Sequence, residues 1–273
     1  MHTVERGTGT PLLLIHGFCV DHRLLLGLDP VFESHGSWRR IYVDLPGMGA
    51  SVAGAEIRST DDVAAELVAF VRATFGSQKF AVLGHSFGGM LARHLVAEFG
   101  DQIIGMALLC PVVVADKARR VLPPATVLQQ DSALLASLDP DDASAYAEVA
   151  VLQNQENWER FRDGALPGLR AFDRSAIGRI AGNYSLSREP EQRVSNYSGP
   201  TLIITGRQDH VVGFEDQQRL ASCYADATVR VLEEAGHNAH LDQPDATGAE
   251  LMQWLNRIRQ AVSDRTPGSA SGQ

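Results

Sequence analysis

The residue of this sequence that could do chemistry most directly is Ser86, set in the run Gly84-His85-Ser86-Phe87-Gly88-Gly89. The pattern Gly-x-Ser-x-Gly places a serine on a sharp strand-to-helix turn, where side chains at positions 84 and 88 would collide with the neighbouring strand and helix. The start of the following helix lies behind the hydroxyl, so backbone N–H groups and the positive end of the helix dipole face any anion formed there. A serine hydroxyl is a weak nucleophile until a base takes its proton, and the base needs a third group to hold its tautomer. Both partners should follow the carboxyl ends of parallel strands, because loops there line the cleft. Asp209 follows the apolar run 201–205 and His237 follows the run 228–232, which gives the chain order Ser86, Asp209, His237. His240, three residues on, and His210, beside the acid, are the competing bases. The Gly236-His237 pair directly after the last strand favours His237.

The elements needed to hold these residues can be read from hydrophobic period. Residues 12–15, 40–44, 80–84, 103–109 and 201–205 are short apolar runs of the kind buried on both faces of a sheet. Residues 2–6 suit an edge strand. Ser59 or Thr60 can cap a helix whose Val63, Leu67, Phe70 and Val71 share a face, with Gly76 as its stop. A second helix follows Ser86 up to Phe99, and a last one starts at Pro244 with Leu251, Trp254, Leu255, Ile258 and Val262 on one stripe. Strand and helix alternate, which predicts an α/β fold with a mostly parallel, doubly wound sheet. From Val112 to about Ser195 the pattern changes to proline-punctuated segments of helical composition at 125–137, 141–153 and 156–165, without a convincing strand. The expected division is a core of 1–111 and 196–263, a helical cap of 112–195 between two late strands, and a disordered tail of 264–273 rich in Ser, Gly and Pro.

With 273 residues the chain can bury one large core plus a lid. Its 44% hydrophobic and 21% charged residues are ordinary for a globular protein, and a net charge of −9 disfavours nucleic acid and anionic membranes as partners. A small-molecule substrate fits better; oligomeric state is not legible. Cys19, Cys110 and Cys223 are odd in number and widely spaced, which suggests neither a disulfide framework nor zinc, and a reducing cytoplasm as the location. No leader-like run precedes Pro11 and no stretch approaches a membrane span. Without HExxH, a CxxC pair or calcium-loop spacing, no metal is expected, and no cofactor motif is present.

Five pieces together make the chain resemble an α/β-hydrolase across residues 1–262: His16-Gly17-Phe18, the segment from Asp44 to Ser51, the segment 84–89, the segment 206–212 and the segment 235–244. The resemblance implies Ser86 as nucleophile, His237 as base and acid, Asp209 as its orienting carboxylate, and an oxyanion hole from the backbone N–H groups of Phe18 and Phe87. Two such donors on converging loops are each worth roughly 100-fold to 1000-fold in rate. Relatives that hydrolyse epoxides or haloalkanes use an aspartate where Ser86 stands. Carbon–carbon hydrolases of the family often carry tryptophan after the base, where this chain has Asn238. Cys110-Pro111 ends the strand 103–109 without the carboxylate that an alternative acid there would need. The expected activity is hydrolysis of a carboxylic ester, lactone or thioester through an acyl-enzyme. Alternatives on the same residues are a carbon–carbon hydrolase, a lyase or cyclase, or a non-catalytic ligand-binding protein. Cys19 is a candidate for a low-pKa thiol or a packing residue, the segment Asp21-His22-Arg23 for a solvated turn or a substrate contact, and Tyr146, Trp158, Phe161, Phe172 and Tyr184 for walls of a pocket or helix packing.

Overall fold

The structure, a computed structural model, describes residues 1–194 and 197–264. The strands are β1 (Thr3–Arg6), β2 (Thr10–Ile15), β3 (Trp38–Val43), β4 (Phe80–His85), β5 (Ile103–Leu109), β6 (Gln129–Gln130), β7 (Leu152–Gln153), β8 (Thr201–Gly206) and β9 (Ala227–Leu232). Seven of them form one sheet in the order β1-β3-β2-β4-β5-β8-β9, while β6 and β7 pair only with each other. Within the large sheet β1 is antiparallel to β3 and every other pairing is parallel. The strand carrying the serine lies fourth of seven, and all six of its residues are buried.

The helices are α1 (Arg23–Leu26), α2 (Asp29–His35), α3 (Thr60–Phe75), α4 (Phe87–Phe99), α5 (Ser132–Ser137), α6 (Pro140–Val149), α7 (Gln155–Gly164), α8 (Leu166–Ala171), α9 (Arg174–Ala181), α10 (Glu215–Leu220), α11 (Ala239–Asp242) and α12 (Pro244–Asp264). Successive strand residues point to opposite faces, and the two faces meet different helices. Leu13 and Ile15 pack with Val63, Leu67, Leu91 and Leu95 of α3 and α4. Leu12 and Leu14 pack with Phe32 of α2 and with Leu251, Trp254 and Ile258 of α12. The sheet is therefore covered on both sides, as its continuous apolar strands demand. Helix α3 starts where the sequence places it: Ser59 Oγ accepts the N–H of Asp62 at 3.2 Å and Gly76 closes the other end. Val262, expected on the buried stripe of α12, is 42% exposed, because the helix has passed the edge of the sheet by that turn.

Between β5 and β8 the chain differs in detail from the expectation. The helix expected at 125–137 begins only at Ser132, where Asp131 Oδ1 accepts the N–H of Leu134 at 2.9 Å. The residues before it are drawn out because Gln129 and Gln130 pair with Leu152 and Gln153, a tertiary contact that overrides their helical composition. Helices α6 and α7 lie close to the expected segments, whereas α8 and α9 are additional. Helix α9 sends Ile177 and Ile180 into the main core. A separate apolar cluster of Tyr146, Trp158, Phe161 and Leu166 joins α6, α7 and α8 to Val20 and Leu24 of the segment after β2. The expected boundary between 195 and 196 and nearly all of the expected tail lie outside the described residues; Asp264 closes α12.

Candidate active site

At the end of β4 the backbone turns abruptly. Ser86 has φ 53° and ψ −114°, a conformation that costs energy for a residue with a side chain and is held by its surroundings. Its N–H donates to Leu109 O at 2.9 Å and its carbonyl accepts the N–H of Val112 at 3.0 Å, so the turn is tied to the end of β5. The neighbouring glycines are sterically required. A Cβ on Gly88 would sit 2.2 Å from Ile15 O, and one on Gly84 would sit 2.2 Å from Gly88 O.

Three elements far apart in sequence converge on this serine. Ser86 Oγ lies 2.9 Å from His237 Nε2, and His237 Nδ1 lies 3.0 Å from Asp209 Oδ2. With Nδ1–H donating to the carboxylate, Nε2 carries a lone pair that accepts a hydrogen bond from the Ser86 hydroxyl. Asp209 is fully buried, and its other oxygen accepts the N–H groups of Val211 at 2.9 Å and Val212 at 3.0 Å, which fixes the carboxylate plane. Ser86 and His237 keep 7% and 9% of their surface exposed, enough to meet a ligand.

The segment expected to supply the first oxyanion donor also lies against the serine. A Cβ on Gly17 would be 3.3 Å from Ser86 Cβ, so the backbone entering Phe18 runs beside Ser86. Phe87 opens α4 directly after Ser86. The rings of Phe18 and Phe87 meet edge-on at 5.1 Å, and Tyr184 closes a trio at 5.3 Å from each. His16 locks this loop: its Nδ1–H donates to Gly17 O at 2.7 Å and its Nε2 accepts the N–H of Leu45 at 3.0 Å. Burial lowers the His16 pKa, which keeps the ring neutral and that pair of bonds intact.

The competing histidines are placed otherwise. His240 Nε2–H donates to Leu24 O at 3.1 Å, and burial lowers its pKa to about 4. His85 Nε2–H donates to the carbonyl of His237 at 3.1 Å, steadying that residue from behind. His210 makes no hydrogen bond to Ser86. The Asp21-His22-Arg23 turn is solvated only at Arg23 and does not line the cavity above Ser86: Asp21 and His22 are buried, Asp21 pairs with the exposed Arg23, and His22 with Asp44. Cys19 is not a low-pKa thiol, since burial pushes it up to about 11. The aromatics divide: Tyr146 and Trp158 pack helices together, Phe161 packs and also lines the cleft, Phe172 rests on the main core, and Tyr184 joins the trio beside the Gly17-Phe18 loop.

Two clusters among the described residues bring three metal-capable atoms within 4.8 Å. One is Cys110, Asp209 and His237, the other is His2, His22 and Asp44, in which each imidazole Nδ1 already bonds Asp44. Sequence reasoning missed Asp242. Its oxygens accept the N–H of Gly236 at 2.8 Å and Asn157 Nδ2 at 2.7 Å, binding the turn before His237 to α7. The only sequence signal was its position inside the 235–244 segment. Above Ser86 a cavity of about 220 Å³ opens between the Gly17-Phe18 loop, the His237-Asn238 turn and helices α6 to α8.

Residues 10–244 match the family described as alpha/beta hydrolase fold. The chain belongs to the α/β-hydrolase fold family. Among solved structures this hydrolase is similar to an alpha/beta superfamily hydrolase from Oenococcus oeni PSU-1, with 29% identity, a TM-score of 0.86, and 94% and 96% of the two chains covered. It is 25% identical over 264 residues to the dihydrolipoyllysine-residue acetyltransferase component of an acetoin cleaving system from Cupriavidus necator, covering 91% of this chain but only 64% of that protein's length. It is 26% identical to 2-succinyl-6-hydroxy-2,4-cyclohexadiene-1-carboxylate synthase from Salmonella newport, covering 90% of this hydrolase and 94% of the synthase. No helix among the described residues is long and apolar enough to cross a membrane.

Proposed function

We propose that this hydrolase cleaves a carboxylic ester, lactone or thioester of a small organic molecule through an acyl-enzyme. The observation that carries the reading is the unbroken hydrogen-bond line Ser86–His237–Asp209 beside a cavity. Ser86 Oγ attacks the carbonyl carbon while His237 Nε2 takes its proton, and the N–H groups of Phe18 and Phe87 receive the developing oxyanion. Collapse of the tetrahedral species expels the alcohol or thiol, protonated by His237. Water then attacks the acyl-Ser86 ester with the same base, releasing the carboxylic acid and restoring the serine. Asp209 stays ionised throughout and stabilises the imidazolium.

Replacement Ser86→Ala is expected to lower kcat on a p-nitrophenyl ester by about a million-fold. Undiminished turnover by that variant would exclude the mechanism. A fluorophosphonate should label the native protein at Ser86, whereas a non-catalytic ligand-binding protein would leave it unlabelled. The synthase from Salmonella invites a lyase reading on the same three residues. Labelling at Ser86 without turnover of any ester in a broad panel would favour that reading over ester hydrolysis.

A further inference from the structure

The cavity above Ser86 has a chemical character that narrows the acyl group. Its walls are largely apolar, with Val20 and Leu24 on one side and Val149, Phe161, Ala165 and Leu169 from α6, α7 and α8 on the other. Among the described residues, no lysine or arginine lines it. The arginines of the same helices are engaged elsewhere: Arg160 donates to Leu241 O, Arg162 pairs with Asp163, and Arg170 pairs with Asp142. One carboxylate does line the cavity, that of Glu148, which is solvent-exposed and has no hydrogen-bond or ion-pair partner among the described residues. Beyond the reacting residues, the neutral polar groups lining it are the half-buried amide of Asn238 and His85, whose buried Nδ1 has no hydrogen-bond partner among the described residues.

An anionic acyl group entering this space would lose part of its hydration without gaining a cation, and would meet the negative charge of the exposed Glu148 at the rim. Size restricts the ligand too. A cavity of about 150 Å³ holds benzene, so about 220 Å³ holds a phenyl ring with a short linker, or a chain of roughly five or six carbons. We propose that the site accepts esters with uncharged acyl groups of this size, and that Glu148 makes it reject acyl groups carrying a carboxylate. The inference rests on the ester-hydrolase reading above. It separates this chain from catalysts whose reacting partners carry carboxylates.

The test compares p-nitrophenyl pentanoate with the p-nitrophenyl monoester of glutaric acid, two five-carbon acyl groups that differ chiefly in terminal charge. Repulsion from one solvent-exposed carboxylate changes binding by about fivefold, and the lost hydration of an unpaired carboxylate adds about tenfold. The wild-type kcat/KM is therefore expected to favour the pentanoate by about 50-fold. Glu148→Gln should shrink that ratio about fivefold through a lower KM for the glutarate, and Glu148→Lys should shrink it further, with thermal melting confirming that both variants remain folded. A p-nitrophenyl dodecanoate should react far more slowly than the pentanoate. A wild-type ratio near one, or a ratio that Glu148→Lys leaves unchanged, overturns the proposal while pentanoate turnover and fluorophosphonate labelling preserve the hydrolase reading. Absence of both labelling and pentanoate turnover overturns that reading, and the acyl-group selectivity with it.

Discussion

Asp242 makes a pH-sensitive contact at the site. Burial outweighs its bonds to Gly236 and Asn157 and pushes its carboxyl up to about 6 from the ordinary 3.8. The folded chain thus holds this proton more tightly than the unfolded chain, so the contribution of Asp242 to stability is greatest at low pH and declines as pH rises from about 4 to about 6. The full difference is at most about 3 kcal/mol. Asp242→Asn removes the titration. The melting temperature of the wild type relative to this variant should fall between pH 4 and pH 7, and a constant difference would rule the assignment out. Residues of this kind are hard to read from sequence. Ser86, Asp209 and His237, which the structure brings within hydrogen-bond reach of one another, announce themselves because each follows an apolar run and the proposed chemistry needs their types. Asp242 and Glu148 owe their significance to groups 85 residues away and to a cavity wall, respectively, and neither leaves a local pattern.

At the level of elements, the turn around Ser86 depends on backbones that approach too closely for any side chain. Gly88→Ala would force its Cβ onto the carbonyls of Ile15 and His16, so both melting temperature and ester turnover should drop sharply. Gly178 supplies the contrast. It lies on the exposed face of α9, where an added methyl group would meet no atom within 4 Å, and Gly178→Ala should raise stability by about 0.5–1 kcal/mol by reducing the freedom of the unfolded chain. The same glycine hides α9 in the sequence: it interrupts a short helical pattern whose apolar residues are few. Strands are easier to read, since a sheet covered on both faces leaves continuous apolar runs that few other structures produce. The extended stretch before Ser132 shows the opposite case, in which pairing with β7 decides a conformation that composition alone assigns to helix.

For the molecule as a whole, Arg93 joins parts that sequence separates. This buried residue of α4 donates through Nη1 to Val112 O at 2.8 Å and through Nε and Nη2 to the two oxygens of Glu191, while Tyr224 OH donates to the same carboxylate. The helix that begins at Ser86 is thereby fastened to the chain at both ends of the segment expected to form the cap. Removing one member of a buried pair typically costs about 3–5 kcal/mol because the other charge is stranded. Arg93→Met should therefore destabilise strongly, and adding Glu191→Gln should restore part of the loss, a coupling that chemical denaturation of the single and double variants would measure. Additive losses would argue against the clamp. The overall architecture is legible through the alternation of strands and helices, but this fastening is not, because Glu191 is 98 residues from Arg93.

The parallel direction of β4 has a practical corollary. Lys79 and Lys117 are the only lysines in the chain. Lys79 is exposed immediately before β4 and Ser86 follows immediately after it, so the six-residue strand holds the two about 20 Å apart on opposite edges of the sheet. A Lys117→Arg protein would keep a single side-chain amine, and coupling through that amine would attach the molecule to a support with its cleft facing the solution.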